Sequence, residues 1–530
     1  MALQFIFGSS GSGKSHSLYQ KTVEEAAANP EKTYIVLVPE QFSMQTQKDL
    51  VEASPNHAIM NIDVLSFGRL AYRVMEETGG NDRIVLDDEG KNLILRKIAG
   101  DYEDDLTVLR GNLKRQGYIS EVKSVISEFT QYDIGEEELD RMMEQAGEGT
   151  SLYYKLSDLK KVYEGFYAYL EEKYITREEI LDLLCERVPQ SAILRDSIIA
   201  LDGFTGFTPV QNRLLEQLLK VCQEVRVTVT IPKNENPYLY QGPYQLFSLS
   251  KEMTTKLLAI CREKKITVND PVWMEGEIPY RFRENAPMAF LERHLFRYGK
   301  ARYEEEQDRI RICHAATPGQ EVEAAARKIR FLVRTKGWRY RDFAVIVPDL
   351  SAYSDDIRTI FSEYGIPVFA DQKRSVLLNP FVEYVRSVTA MIQKGFTYES
   401  VFRFLRTGLS GFTMEEVDTL ENYVLALGIR GYKKWQGAWI RKSKGMSEEE
   451  LAKVNHLRVR FIEKVDSLVF VLRQQKKTVR DITEALYDFL VQEGMYGKVR
   501  EQEQFFEKSG EAALAKEYSQ VYRIVIDLFD

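Results

Sequence analysis

The sequence predicts an α/β fold of two parallel-sheet domains, each interrupted by a helical insertion, and three observations predict it. Short continuous apolar runs, "LQFIF" (3–7), "YIVLV" (34–38), "SIIALD" (197–202), "VRVTVTI" (225–231), "IRIC" (310–313) and "FAVIV" (343–347), have the pattern of strands covered on both faces. Helical periodicity stands between them, as in Tyr19, Val23, Ala26 and Ala27, and again in "GQEVEAAARKIRFLVRTKG" (319–337). All 15 prolines fall outside residues 56–188 and 381–530. Those two blocks are free to be helical throughout, since a proline inside a helix costs about 3 kcal/mol.

These signals divide the 530 residues in order. A first α/β domain is expected from 1–85 and 181–285, with a helical insertion at 86–180. The first part of a second α/β domain follows at 286–385, and a second helical insertion at 386–530. The length fits this number of units at about 100–200 residues per domain. The last stretch, "SQVYRIVIDLFD", carries Val521, Ile524, Val525 and Leu528 at helical spacing with no capping glycine. It reads as an amphipathic helix of a longer protein or as a short native terminal helix.

Composition excludes several classes. With 44% hydrophobic and 29% charged residues and no low-complexity tract or repeat, the chain is globular and not disordered. No apolar run reaches the roughly 18 residues of a membrane span, and the N-terminus enters a strand with no basic region or cleavage site. No membrane is implied, and the cytoplasm is the default location. Cys185, Cys222, Cys261 and Cys313 show no C-x-x-C spacing and read as thiols outside any zinc, iron–sulfur or disulfide framework. The five histidines, at 16, 57, 294, 314 and 456, form no ligand spacing. A net charge of -8 gives no bulk attraction to a polyanion, so any nucleic acid must meet local basic surfaces.

Gly8, Ser9, Ser10, Gly11, Ser12, Gly13, Lys14 and Ser15 fit G-x-x-x-x-G-K-[ST] between a predicted strand and a predicted helix. That context makes the pattern a phosphate-binding loop and not a glycine-rich turn. Glycines let backbone N–H groups point at phosphate oxygens, and the helix N-terminus adds its dipole. Lys14 is expected on the β- and γ-phosphates of ATP and Ser15 on Mg²⁺. A P-loop site also needs a carboxylate at a strand end, and "IIALDGF" supplies Asp202 as the second metal residue. Asp-Gly is equally a turn signal. Gly203 stands where efficient ATPases carry an acid that orients the attacking water.

A set of longer stretches carries a family resemblance: "VLVPEQFSMQ" (36–45), "VLSFGRLAYRV" (64–74), "LDGFTGFTPVQ" (201–211), "FAVIVPDLSAY" (343–353) and "GIPVFADQKRSVLLNPFVEYVRS" (365–387). In this order and at these spacings they resemble the AddB subunits of AddAB-type ATP-dependent helicase/deoxyribonucleases. The resemblance covers essentially the whole chain. It implies a superfamily 1 helicase-like fold with two RecA-like domains, each with an inserted helical domain. It also implies ATP and Mg²⁺, single- and double-stranded DNA, and an AddA-type partner in a heterodimer that processes double-strand breaks for homologous recombination. The family further implies a nuclease domain with an iron–sulfur cluster beyond residue 530, of which no residue can be named here.

Against active superfamily 1 motors the chain departs in three places besides Gly203. Only seven residues precede Gly8, leaving no room for the upstream adenine-reading glutamine segment. "PKNENPYLYQGPYQ" follows "VRVTVTI" where those motors carry Gly-Asp-x-x-Gln. The Asn-Tyr-Arg-Ser segment is missing, its place taken near "MAFLERHLFRY" (288–298), where Arg293 and Arg297 supply charge or a solvated helix face. The expected protein binds ATP and turns it over poorly, serving as a degenerate module that holds and reads a DNA strand. An active DNA-dependent motor is the alternative, and an unrelated P-loop kinase or ATPase a more distant one. For DNA, "GIRGYKKWQGAWIRKSKG" (428–445) interleaves Arg430, Lys433, Lys434, Arg441, Lys442 and Lys444 with Tyr432, Trp435 and Trp439. The interleaving suits phosphate neutralisation plus base stacking, or a domain-packing helix with a basic outer face. The resemblance adds Ser66 and Arg69 as strand contacts.

Overall fold

The computed structural model describes residues 1–79, 83–112, 115–170, 173–274, 276, 278–370 and 375–529. Residues 371–374, inside the family-like stretch 365–387, therefore lie outside the described residues. The chain divides into two units, 1–313 and 314–530.

The first unit begins with β1 (Ala2–Gly8), α1 (Lys14–Ala28), β2 (Tyr34–Leu37), α2 (Ser43–Ala53), β3 (Ile62–Leu65) and α3 (Phe67–Thr78). It continues with β4 (Ile84–Leu86), α4 (Asp88–Asp101), α5 (Gln116–Gln131), α6 (Glu136–Ala146), α7 (Ser151–Leu170), β5 (Tyr174–Thr176) and α8 (Ile180–Arg187). It closes with β6 (Ile198–Leu201), α9 (Pro209–Val221), β7 (Glu224–Thr230), α10 (Ser248–Lys264), β8 (Thr267–Val268), β9 (Val272–Trp273) and α11 (Ala286–His294).

The four strands expected in the first domain are all present, in one parallel sheet of order β3-β2-β6-β7-β1-β8, with β9 also on β1. Period-2 alternation explains why these runs are apolar throughout. In β1, Leu3, Phe5 and Phe7 enter a core with α3, α8, α9 and α10, while Ile6 enters the opposite core with α1 and α2. β3 was not expected; its buried Ile62 precedes three half-buried residues of an edge strand, too weak a run to read from sequence. Caps set the helix starts. Thr208 and Gln211 form a capping box ahead of Pro209 at the start of α9, which is worth about 1 kcal/mol.

Between α3 and α8 the chain forms its own core from α4, α5 and α7, with the parallel pair β4–β5 beside it. A buried ion pair, Lys91 to Glu178 at 2.6 Å, and the fully buried Asp158, which accepts backbone N–H bonds from Thr107, Val108 and Leu109, fix its loops.

The second unit holds α12 (Pro318–Lys336), α13 (Leu350–Glu363), α14 (Pro380–Gln393), α15 (Tyr398–Leu405), α16 (Met414–Leu427), α17 (Tyr432–Gln436), α18 (Glu448–Leu472), α19 (Val479–Gln492), α20 (Met495–Lys508) and α21 (Ala512–Asp527). α12 and α13 share one core, and α14 to α21 share a larger one. The strands expected at 310–313 and 343–347 do not form. Ile312 and Ile346 are 98% and 94% exposed. An apolar run gives a segment the capacity to be a strand, but a parallel ladder needs a hydrogen-bonding neighbour, and neither segment has one among the described residues. The observed architecture is α/β, with one large parallel sheet and the small β4–β5 pair in the first unit and many helices. The second unit has no strand among its described residues.

Candidate functional site

β1 ends at Gly8 and α1 begins at Lys14, so the intervening loop sits at the C-terminal edge of the sheet, the edge where α/β folds place ligands. Gly11 and Gly13 have φ of 75° and 98°, the left-handed region that side chains disfavour. A Cβ on Gly8 would lie 2.4 Å from Ser12 Oγ, so the loop closes tightly only with glycine there. Ser12 Oγ is buried without a hydrogen-bond partner among the described residues.

Lys14 is 9% exposed, and its Nζ donates to the carbonyls of Gly8 at 3.0 Å and Ser9 at 2.9 Å. Burial pushes its pKa down to about 8; the negative charges of Asp202 and Glu292 oppose the shift and Arg281 adds to it. Asp202, 6% exposed at the end of β6, is held by three hydroxyls. Ser15 Oγ and Thr228 Oγ1 donate to Oδ1 at 3.0 and 2.6 Å, and Tyr19 donates to Oδ2 at 2.7 Å. Burial, then the Asp202 charge, pushes the Tyr19 phenol well above its ordinary pKa, so it stays a donor. Sequence reading paired Ser15 with Asp202; it missed Tyr19 and Thr228, which orient the carboxylate. Their signal is weak, since a tyrosine one turn past Ser15 reads as core.

A hydroxyl and a carboxylate 3.0 Å apart beside a phosphate loop fit Mg²⁺. That ion takes one or two protein oxygens and completes its shell with water and phosphate. No cluster of three or more His, Cys, Asp or Glu able to hold a metal occurs among the described residues, and this mode requires none.

Over the loop lies a cavity of about 700 Å³ lined by Ser9, the segment from Gly11 to Ser17, and Gln20 on one side. Met274, Ile278, Pro279, Tyr280, Arg281 and Arg283 line the other. The second wall is clamped to the first: Arg281 N donates to Gly11 O at 3.0 Å, and a Cβ on Gly11 would meet Arg281 Cβ at 2.9 Å. The Arg283 guanidinium sits 4.7 Å from the centroid of the Tyr280 ring, which is 65% exposed. An aromatic face with Lys14, Arg281 and Arg283 around one cavity suits an aromatic ring joined to a polyphosphate. This wall was missed from sequence. The signal was the Tyr280-Arg281 dipeptide, upstream of the 288–298 stretch expected to replace Asn-Tyr-Arg-Ser.

Gly203 adopts φ 79°, with its Cβ position 3.6 Å from Pro39 Cδ. Glycine is demanded there by backbone geometry, and the water-orienting position is closed to an acid without strain of about 1 kcal/mol. Ser66 is buried and caps α3, accepting from Arg69 N at 3.4 Å; the Arg69 side chain is exposed. In the second unit Arg430, Lys433, Lys434 and Arg441 are exposed, whereas Trp435 and Trp439 are 1% and 7% exposed inside the helical core. The expected stacking platform is therefore corrected. Both rings pack against protein, so a base has no ring face to stack on there, and the cations alone face solvent.

The Lys14 pKa gives a pH prediction. Phosphate binding favours the ammonium form, and the free group loses its proton as pH rises through about 8. Affinity for ATP should hold up to about pH 7 and fall above pH 8, by up to about tenfold per pH unit, with proton uptake on binding. Calorimetric titration across pH in buffers of different ionisation enthalpy checks it; a flat profile from pH 7 to 9.5 would contradict it.

Comparison with known proteins adds to this geometry. The family profile described as "ADDB, N-terminal" matches residues 5–292. The chain is 41% identical over its whole length to the AddB-type subunit of the ATP-dependent helicase/deoxyribonuclease of Lachnoclostridium phytofermentans, covering 47% of that protein. It is 34% identical to the corresponding subunit from Clostridium novyi and 35% identical to that from Caldanaerobacter subterraneus subsp. tengcongensis, each again over the whole chain and 46% of the relative. The chain thus spans about half the length of these curated relatives. A profile match that begins in β1, takes in the loop, Asp202 and the Tyr280–Arg283 wall, and ends in α11, together with identity along all 530 residues, shows that the chain belongs to the AddB family.

Proposed function

We propose that this chain is an ATP-binding, helicase-like portion of the second subunit of an ATP-dependent helicase/deoxyribonuclease, and that it clamps nucleotide and holds a DNA strand with little turnover of its own. The observation that carries the reading is the pairing of a complete phosphate loop and Asp202 set with a left-handed Gly203. The phosphate and metal contacts are kept, and the position for water activation is closed. In this reading the backbone N–H groups of Gly11 to Ser15 and the Lys14 ammonium bind the β- and γ-phosphates, Tyr280 and Arg283 bracket the base, and Ser15 and Asp202 hold Mg²⁺. The metal would neutralise phosphate charge. Tyr19 and Thr228 keep Asp202 aimed at it.

The finer superfamily 1 assignment belongs to the same proposal, with RecA-like domains at 1–85 plus 181–285 and at 286–385 and helical insertions at 86–180 and 386–530. So do the AddA-type partner, the recombination role, strand contact through Ser66, Arg69 and the exposed cations of 428–445, and a cytoplasmic location. Support comes from the relatives, which are named as subunits of an ATP-dependent helicase/deoxyribonuclease. Among the described residues no helix is long and apolar enough to cross a membrane. An iron–sulfur cluster and nuclease remain implications of the resemblance for sequence beyond residue 530.

One observation favours the alternative of an active motor: Glu292 of α11 lies within electrostatic reach of Lys14 and brings an acid near the phosphate site. ATP turnover by the chain, with and without single-stranded DNA, separates the two. Slow, DNA-insensitive hydrolysis is expected, and Gly203→Glu should leave it slow, because the new side chain sits on a strained backbone. Strong DNA-stimulated turnover in the native chain would overturn the reading.

A further inference from the structure

The second unit carries a cationic groove that none of the motifs above explains. α12 holds Arg327, Lys328, Arg330, Arg334 and Lys336, and its only acids, Glu321 and Glu323, lie in its first two turns. Its apolar stripe, Val322, Ala326 and Ile329, is buried against α13, which turns the opposite side outward. There a cavity of about 500 Å³ is lined by Arg327, Arg330, Phe331 and Arg334 of α12, and by Glu363 and Tyr364 at the end of α13. Arg327 is spoken for by Glu323 at 2.6 Å and the Tyr364 hydroxyl at 3.1 Å, and Arg330 donates to the Tyr340 hydroxyl at 3.0 Å. Arg334 has no hydrogen-bond or ion-pair partner among the described residues. Phe331 is 52% exposed in the middle of this ridge, with Lys328 5.3 Å from its ring centroid.

We propose that this α12–α13 groove binds a single-stranded nucleic acid, with the arginines on successive phosphates and Phe331 against a base. The charge argument is local. In a chain of net charge -8, the helix from Ala324 to Lys336 has five cations and no acid. Three arginines at i, i+3 and i+7 form a ridge about 10 Å long at 1.5 Å rise per residue. Guanidinium groups recognise phosphate bidentately, and a half-exposed ring among cations is what a sequence-tolerant single-strand site uses. Glu363 at one end limits the strand's path to the α12 side. The choice of nucleic acid over another polyanion rests on the DNA-handling reading above.

The test is a fluorescence-anisotropy titration of a labelled oligo-dT with the full 530-residue chain across a salt series. Arg334→Glu, at an exposed site with no partner to lose, should lower affinity and reduce the log-affinity against log-salt slope by at least about 0.7, and Arg327→Ala with Arg334→Ala by about 1.4. Phe331→Ala should weaken binding about tenfold with the slope unchanged. Circular dichroism should be unaltered in the Arg334 and Phe331 variants. Unchanged affinity and slope in Arg334→Glu would overturn the proposal, and a silent Phe331→Ala with equal binding to duplex would overturn its single-strand part. ATP affinity read in the same samples keeps the two readings apart. ATP binding retained alongside an indifferent Arg334→Glu sinks the groove and leaves the phosphate loop standing.

Discussion

Trp435→Ala is expected to destabilise the 314–530 unit by about 3–5 kcal/mol, the range for truncating a fully buried large aromatic residue. The ring is 1% exposed and packs edge-on against Trp439 and Phe461 at centroid distances of 5.1 and 4.8 Å. Backbone around it is equally committed. Arg458 donates to the carbonyls of Trp435 at 2.7 Å and Gln436 at 3.0 Å. Trp439 Nε1 donates to Lys434 O at 2.8 Å, and the Asn455 amide bridges the Trp439 backbone. A cavity at Trp435 would loosen all of these. Thermal or denaturant unfolding of the variant checks the expectation; an unchanged midpoint would show that the ring is dispensable to the core. Lys433→Ala with Lys434→Ala, both exposed, should move stability by less than about 0.5 kcal/mol. If these lysines meet DNA, the same pair should flatten the single-strand salt slope by up to about 1.4.

Lys14→Ala is expected to lower ATP affinity about 100-fold or more while leaving the fold intact, since charge-assisted hydrogen bonds are worth about 1.5–3 kcal/mol each. In the ligand-free chain the Nζ bonds only the carbonyls of Gly8 and Ser9, which end a strand already held by its ladder to β7. Removing a buried ammonium also relieves the desolvation that lowers its pKa. Stability should therefore change little. Calorimetric titration with ATP and Mg²⁺, beside circular dichroism and a melting curve, reads both halves. Retained affinity with a native spectrum would remove the phosphate loop from the nucleotide site.

The sequence by itself determined the parts of this protein whose physics is local. A glycine at φ 98° is required by the loop that phosphate needs. Strands buried on both faces must be apolar at every position, and blocks without proline are open to helix. The first sheet, the 8–15 loop and the pairing of Ser15 with Asp202 were legible for those reasons. What only the tertiary structure decided depended on groups distant in sequence. Whether Trp435 faces solvent or core is set by Phe461 and Arg458 of α18; among lysines, a tryptophan pattern is the same for a stacking platform and for a helix with a basic rim. Asp202 takes its orientation from Tyr19 and Thr228, which are 183 and 26 residues away. Tyr280 and Arg283 join the nucleotide cavity only because the chain returns across Gly11 after β9. The segments at 310–313 and 343–347 have the side chains of strands and lack a ladder, because a strand is completed by its neighbour's backbone and not by its own residues.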